Sequence, residues 1–147
     1  MSQSSLRFVF VYGTLRRGEQ RDINLLRPAP DWVGTGTVPG TLYDLGAYPG
    51  IVVGSDRCAD VVTGEVYAIC ATLERLLDEI EEVWPQQAGE YTKREVLVRM
   101  AGSLVSAIGQ SHERLCCLVY EVLPECTEGK PRIISGDWVQ HRANSAS

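Results

Sequence analysis

The side chains best suited to chemistry fall in two places. Phe8 to Tyr12 is a run of β-branched and aromatic residues that suits a strand, and it passes directly into Gly13-Thr14-Leu15, with Arg16, Arg17 and Gly18 next. Gly13 permits a sharp turn and lets a ligand approach without a Cβ in the way. Successive backbone N–H groups after such a turn can converge into a concave site for a carboxylate or phosphate. The pattern equally fits an ordinary strand-to-loop exit, because short glycine motifs recur by accident. The second place is acidic. Leu73, Leu76, Leu77, Ile80, Val83 and Trp84 recur at the spacing of one helix face. At about 100° per residue, Glu81 lies about 95° from the centre of that stripe, beside Leu77, with Glu79 next on the other side and Glu82 nearly opposite. A glutamate at such a border is partly desolvated, which raises its pKa and makes it a better proton acceptor near neutrality. A solvated helix flank is the alternative.

Other catalytic plans find little support. His112 and His141 are the only histidines, one in a polar connection and one near the chain end. Neither position suits a Cys-His or Ser-His nucleophile. Cys116 and Cys117 sit in an apolar strand, where cysteine behaves as a small hydrophobe. Arg16 and Arg17 are candidates to contact an acidic substrate, or are simply solvated.

The elements that must position the loop and the acid follow from patterning. Glu19 to Leu26 suits a short helix stopped by Pro28 and Pro30. Trp32 to Asp44, interrupted at Pro39-Gly40, reads as two strands or one bent strand. Gly34, Gly36 and Gly40 within it suggest a strongly curved sheet. Further strands are expected at Ile51-Val52-Val53, Val61 to Ile69, Tyr91 to Met100 and Leu115 to Val122. The helix between them is expected to start at Thr72 as N-cap and to end at Pro85. Gly102 to Glu113 is a weakly patterned connection and Pro124 to Pro131 a loop. Ile133 to Trp138 closes the ordered part, with Arg142 to Ser147 a frayed tail.

Composition agrees with one domain spanning 1–147, its ends 1–5 and 142–147 flexible. Of 147 residues, 44% are hydrophobic and 22% charged, the balance of a soluble globular chain. No apolar run reaches the ~20 residues of a membrane span, and Met1 to Ser5 has neither part of a secretory signal. No membrane association and a cytoplasmic location are therefore expected. Five cysteines without a C-x-x-C pair argue against a disulfide framework and a zinc site, so no metal is expected. A net charge of −5 gives no footprint for nucleic acid.

Tyr12-Gly13-Thr14-Leu15, Leu77-Asp78-x-x-Glu81 and Tyr91-x-Lys93-Arg94, in that order, resemble the gamma-glutamylcyclotransferase-like family. The similarity extends to Tyr48-Pro49-Gly50, to the Tyr120 strand and to Ser135-Gly136-Asp137-Trp138, so it covers most of the chain. Two positions depart from the common pattern: Glu82 stands where glycine is usual, and Lys93 where arginine is common. The resemblance implies an α+β fold, a small, curved mixed β-barrel with few peripheral helices. It also implies a pocket in which the loop residues Tyr12, Gly13, Thr14 and Leu15 hold a glutamyl group and Glu81 is the general base.

The implied reaction is an amine-releasing cyclisation. The α-amine of a γ-glutamyl amine or γ-glutamyl amino acid attacks its own δ-carbonyl, giving 5-oxoproline. The attack is intramolecular, so positioning supplies much of the rate and no cofactor is required. Glu81 would take the proton of the attacking amine and return one to the leaving nitrogen. The loop N–H groups would bind the α-carboxylate or the developing oxyanion. Tyr12, Tyr91 and Tyr120 would orient the base or close the pocket, or else serve as barrel core. The partner expected is a small-molecule γ-glutamyl substrate, for a monomer or weak homodimer. Two alternatives remain: a binding module with the same pocket but no turnover, and an amide hydrolase releasing free glutamate.

Overall fold

An unbroken apolar strand needs cover on both faces, and the first strand receives it. In a computed structural model that describes residues 7–55, 59–81, 89–101 and 114–145, β1 (Arg7–Val11) lies inside the sheet. On one side β4 (Val61–Ile69) runs antiparallel to it, with Val11 opposite Glu65. On the other, β6 (Arg114–Val122) runs parallel, with Val9 opposite Leu118. β5 (Tyr91–Met100) pairs antiparallel with β6, and β2 (Asp31–Asp44) antiparallel with β4. Gly36 of β2 then meets Met100 of β5, and Thr37 meets Arg99, which closes five strands into a mixed barrel. The short β3 (Pro49–Val53) hangs on the far half of β2.

Closure depends on a missing side chain. A Cβ on Gly36 would lie 2.5 Å from Val98 Cγ1 and 2.9 Å from the Arg99 carbonyl oxygen, closer than packed atoms tolerate. Of the two readings of Trp32 to Asp44, the structure has the single bent strand, with a register shift between Trp32 and Gly34.

Alternate residues build two cores. Phe10, Val38, Val66, Val98, Cys117 and Val119 pack with their neighbours inside the barrel. Val9, Val11, Tyr67, Leu118, Tyr120 and Val122 form a second layer outside it, under α1 (Ala71–Ile80). That helix differs from expectation at its start and its face. Its N-cap is Cys70, so Thr72 sits exposed in the first turn and caps nothing. The buried arc takes in Leu73, Leu77 and Asp78, with Leu76 and Ile80 only half-covered. Lys93 and Tyr120 on the barrel give acids of α1 partners, and the helix turns toward them: Lys93 Nζ donates to Glu74 at 2.7 Å and to Asp78 at 2.9 Å, and the Tyr120 hydroxyl to Asp78 at 2.6 Å. α1 ends at Ile80 with Glu81 as C-cap; its expected continuation through Val83 and Trp84 to Pro85 lies outside the described residues.

At the other end of the chain, α2 (Trp138–Ser145) replaces the frayed tail expected from Arg142. Asp137 starts it, its Oδ1 accepting the Gln140 N–H at 3.1 Å, and Trp138 seats in the barrel core. Arg142 pairs with Glu19 at 2.6 Å, which ties the helix to the segment after β1. Single 3-10 turns occupy Ile23–Leu25 and Pro124–Thr127. The connection Gly102 to Glu113 and residues 1–5 lie outside the described residues. Among the described residues no helix is long and apolar enough to cross a membrane.

Candidate active site

The loop after β1 turns back on itself and uses its carbonyl groups to do so. Gly13 accepts from the Arg16 N–H at 3.0 Å, Thr14 from Arg21 at 2.8 Å and Leu15 from Ile23 at 2.8 Å. Among the described residues, the N–H groups of Gly13, Thr14 and Leu15 enter no hydrogen bond. Three consecutive donors therefore remain available beside a cavity of about 180 Å³ that these residues line. That volume lies below the ~300–1,000 Å³ of drug-sized ligand pockets and suits an amino-acid-sized group.

The opposite side of the loop is closed by charge. Arg16 is buried, with Nε 3.1 Å from Glu65 and Nη1 2.9 Å from Asp137. Glu65 also accepts the Arg17 N–H and the Tyr67 hydroxyl, each at 2.9 Å. Arg17 lays its guanidinium over the Trp32 ring at 4.5 Å. Neither arginine lines the cavity; of the two readings, substrate contact or simple solvation, the structure instead has both engaged by neighbouring side chains behind the loop.

The seven residues to which the family resemblance assigns a role all border this one cavity: Tyr12, Gly13, Thr14, Leu15, Glu81, Tyr91 and Tyr120. Glu81 reaches it from the C-terminal end of α1, where its N–H bonds to the Leu77 carbonyl at 2.9 Å. An acid at the negative end of a helix dipole is an unfavourable placement for stability alone. Three phenols surround it. Burial pushes the Tyr12, Tyr91 and Tyr120 hydroxyls well above the ordinary tyrosine pKa, and the Glu81 charge pushes each further. For Tyr120 the hydrogen-bonded Asp78 adds to this. They stay neutral across the working range, and they are tethered. The Tyr12 hydroxyl donates to the Tyr120 carbonyl at 2.7 Å and accepts from the Ile51 N–H at 3.2 Å; Tyr91 donates to the Pro49 carbonyl at 2.6 Å.

The Tyr91 tether joins Tyr48-Pro49-Gly50 to the other motifs. Pro49 packs so tightly on the loop that a Cβ on Gly13 would sit 2.6 Å from its Cγ. Tyr48 lines the cavity as well, and its hydroxyl donates to Glu90. That hydrogen bond, followed by burial, pushes the phenol up to about 12.

Arg21 and Glu90, which also line the cavity, escaped the sequence reading. Glu90 was adjacent to a motif residue, Tyr91. Arg21 is brought in by the turn at Gly18, whose φ of 83° reverses the chain, and by Asp22, whose carboxylate accepts the Gly18 N–H at 2.9 Å. His141 instead faces Asp44 at 2.9 Å, away from the cavity, and Cys117 is buried with its thiol pushed up to about 12 by that burial. Cys116 is exposed.

Residues 9–140 match the family model described as gamma-glutamyl cyclotransferase, AIG2-like. A protein of Vibrio cholerae named "Putative gamma-glutamylcyclotransferase" is 35% identical over 140 residues, covering 90% of this chain and 95% of that one. The chain belongs to this family. Solved structures share its barrel. A mouse AIG2-like protein superposes with a TM-score of 0.68 at 24% identity, over 90% of this chain and 88% of the mouse chain. The protein PH0828 of Pyrococcus horikoshii gives 0.63 at 24% identity, over 95% and 96%. YkqA of Bacillus subtilis gives 0.68 at 25% identity; the match covers 97% of this chain and only 43% of YkqA. Within the gamma-glutamyl cyclotransferase frame, the closing Ser135-Gly136-Asp137-Trp138 motif gains a physical meaning here. It supplies the α2 cap, the Arg16 counter-charge and a barrel-core ring from one short stretch.

Proposed function

We propose that the protein is an enzyme that cyclises a small γ-glutamyl amine or γ-glutamyl amino acid to 5-oxoproline and releases the amine, with Glu81 as the proton-transfer group. The observation that carries this reading is the meeting of the Glu81 carboxylate, its neighbour Glu90 being taken up by the Tyr48 hydroxyl, with the unbonded N–H groups of Gly13 to Leu15 around one amino-acid-sized cavity. Anion and ammonium ends of a glutamyl group require complementary partners of these two kinds.

The reaction supplies its own nucleophile. The substrate's α-ammonium loses a proton to become an amine, which forms a C–N bond to the δ-carbonyl carbon. The tetrahedral intermediate then breaks the original amide C–N bond. From ammonium to ring amide the attacking nitrogen gives up two protons, and the leaving nitrogen gains two to depart as an ammonium ion. A single carboxylate beside both nitrogens can relay each in turn, which is the role assigned to Glu81. The donors of Gly13 to Leu15 bind the α-carboxylate or the carbonyl oxygen as it gains charge. The tethered phenols of Tyr12, Tyr91 and Tyr120 wall the cavity and keep the substrate folded on itself, where proximity contributes most.

The test is a mass-spectrometric screen of the purified protein against a panel of γ-glutamyl amines and γ-glutamyl amino acids. Formation of 5-oxoproline with stoichiometric free amine is the expected result. Free glutamate as the product would establish hydrolysis instead, and binding without turnover would establish a binding module.

A further inference from the structure

Beyond the glutamyl end, the cavity opens toward a second surface. Arg21 and Ile80 line both the site cavity and an adjoining open groove of about 440 Å³, whose other walls include Leu25 and Leu26. Leu25 is 71% exposed, so its side chain is free to meet a ligand in the groove. Arg21 is the one cation bordering the cavity among the described residues, beside the acids Glu81 and Glu90. Its backbone is pinned to the loop through Thr14, whereas its guanidinium enters no ion pair among the described residues. The neighbouring acid Asp22 is already engaged, by the N–H groups of Gly18 and Asn24. Tyr48 donates to Glu90, so part of that carboxylate is occupied too.

We propose that Arg21 together with the Leu25, Leu26 and Ile80 shelf is the subsite for the departing half of the substrate, and that this half is an apolar α-amino acid. Its free carboxylate meets the Arg21 guanidinium, whose planar fork matches a carboxylate in two hydrogen bonds. Its side chain covers the leucines of the shelf. The inference rests on the cyclotransferase reading of the cavity and narrows its substrates, γ-glutamyl amines and amino acids alike, to γ-glutamyl conjugates of apolar amino acids.

Three conjugates test it: γ-glutamyl-leucine, γ-glutamyl-3-methylbutylamine, which is the same molecule without the leaving carboxylate, and γ-glutamyl-glycine, which lacks the side chain. Wild-type kcat/KM is expected to favour the leucine conjugate about tenfold or more over each of the others, chiefly through KM. Arg21→Gln should lower kcat/KM for the leucine conjugate by about 10- to 100-fold and close its gap to the amine conjugate. Leu25→Asn should close its gap to the glycine conjugate. Equal losses on the leucine and amine conjugates in Arg21→Gln would place Arg21 at the shared glutamyl end and overturn the proposal. So would a wild-type enzyme without preference, and a leucine-over-glycine preference that survives Leu25→Asn would remove the shelf. If no conjugate turns over, the cyclotransferase reading fails separately, and dissociation constants for the same set decide the subsite: selective loss for the leucine conjugate in Arg21→Gln supports it, and absence of binding overturns it.

Discussion

The loop after β1 presents two faces built from the same few residues. Behind it, Arg16, Glu65, Asp137 and Tyr67 satisfy one another in a buried cluster. In front, Gly13, Thr14 and Leu15 leave their N–H groups open on the cavity that Glu81 borders. Buried polar groups are costly unless paired, so pairing marks the rear as structure. Unbonded donors beside an acid make the front the candidate site on which the proposed function rests. The difference separates two arginines only five positions apart: Arg16, which the sequence leaves as either a substrate contact or a solvated residue, is a buried strut, while Arg21, in a polar connector, borders the cavity.

Breaking the rear should produce the largest effect on stability. Arg16→Met leaves Glu65 and Asp137 without their buried counter-charge and should destabilise by about 3–5 kcal/mol, read as a lower midpoint in urea. High pH should act on the cavity wall next. Tyr12, Tyr91 and Tyr120 hold their protons more tightly folded than unfolded, so the folded state binds more protons once pH exceeds the ordinary phenol value of 10.0. Their contribution is fully present below that pH and is lost above it, by roughly 2–4 kcal/mol for the three together between pH 10 and 11. Lys93 has the same sign. Burial opposes its charge, but the hydrogen bonds it donates to Glu74 and Asp78 raise its pKa above 10.5, so its support also fades as pH climbs. Phenolate absorbance should therefore appear together with loss of tertiary structure, not before it; titration of these phenols in the intact fold would contradict their tethering.

Gly13→Ala sharpens the comparison at the front. Its Cβ collides with Pro49, and overpacking of this kind costs about 1–3 kcal/mol, with loss of turnover beyond what unfolding explains. An unchanged rate would show that the loop donors have no part in the reaction. The smallest effect is expected at Asp22. Despite some burial, the Gly18 and Asn24 N–H groups hold its pKa below 3.8, so its support is present above pH 3.8 and fades as pH falls further. Asp22 is half-buried, but asparagine keeps an acceptor oxygen for the same N–H groups, so Asp22→Asn should cost under about 1 kcal/mol near neutrality.

What could be read from the sequence was local. The β1 run, the glycine after it and the leucines of α1 signal strand, turn and helix by periodicity, and those elements are present. Asp78 shows what periodicity misses: it lies far from the apolar stripe, yet it is buried because Tyr120 and Lys93, more than a dozen residues away, supply its partners. Glu65 is a similar case, an acid in the middle of an apolar strand whose counter-charge, Arg16, comes from the loop after β1 some fifty residues earlier. α2 was illegible because its sequence has almost no apolar face; it is fixed by Asp137, Trp138 and the Arg142–Glu19 pair. In the site, motif order located seven of the residues that border the cavity. Arg21 depends on a reversal at Gly18, which carries no ligand signature of its own.

The most direct measurement is kcat for wild type and Glu81→Gln on the best substrate of the panel, with substrate affinity measured in parallel. The substitution keeps the shape of the side chain and removes its ability to accept a proton. A fall in kcat of at least about a hundredfold with affinity largely retained is the predicted result. Equal kcat values would contradict Glu81 as the group that moves the protons.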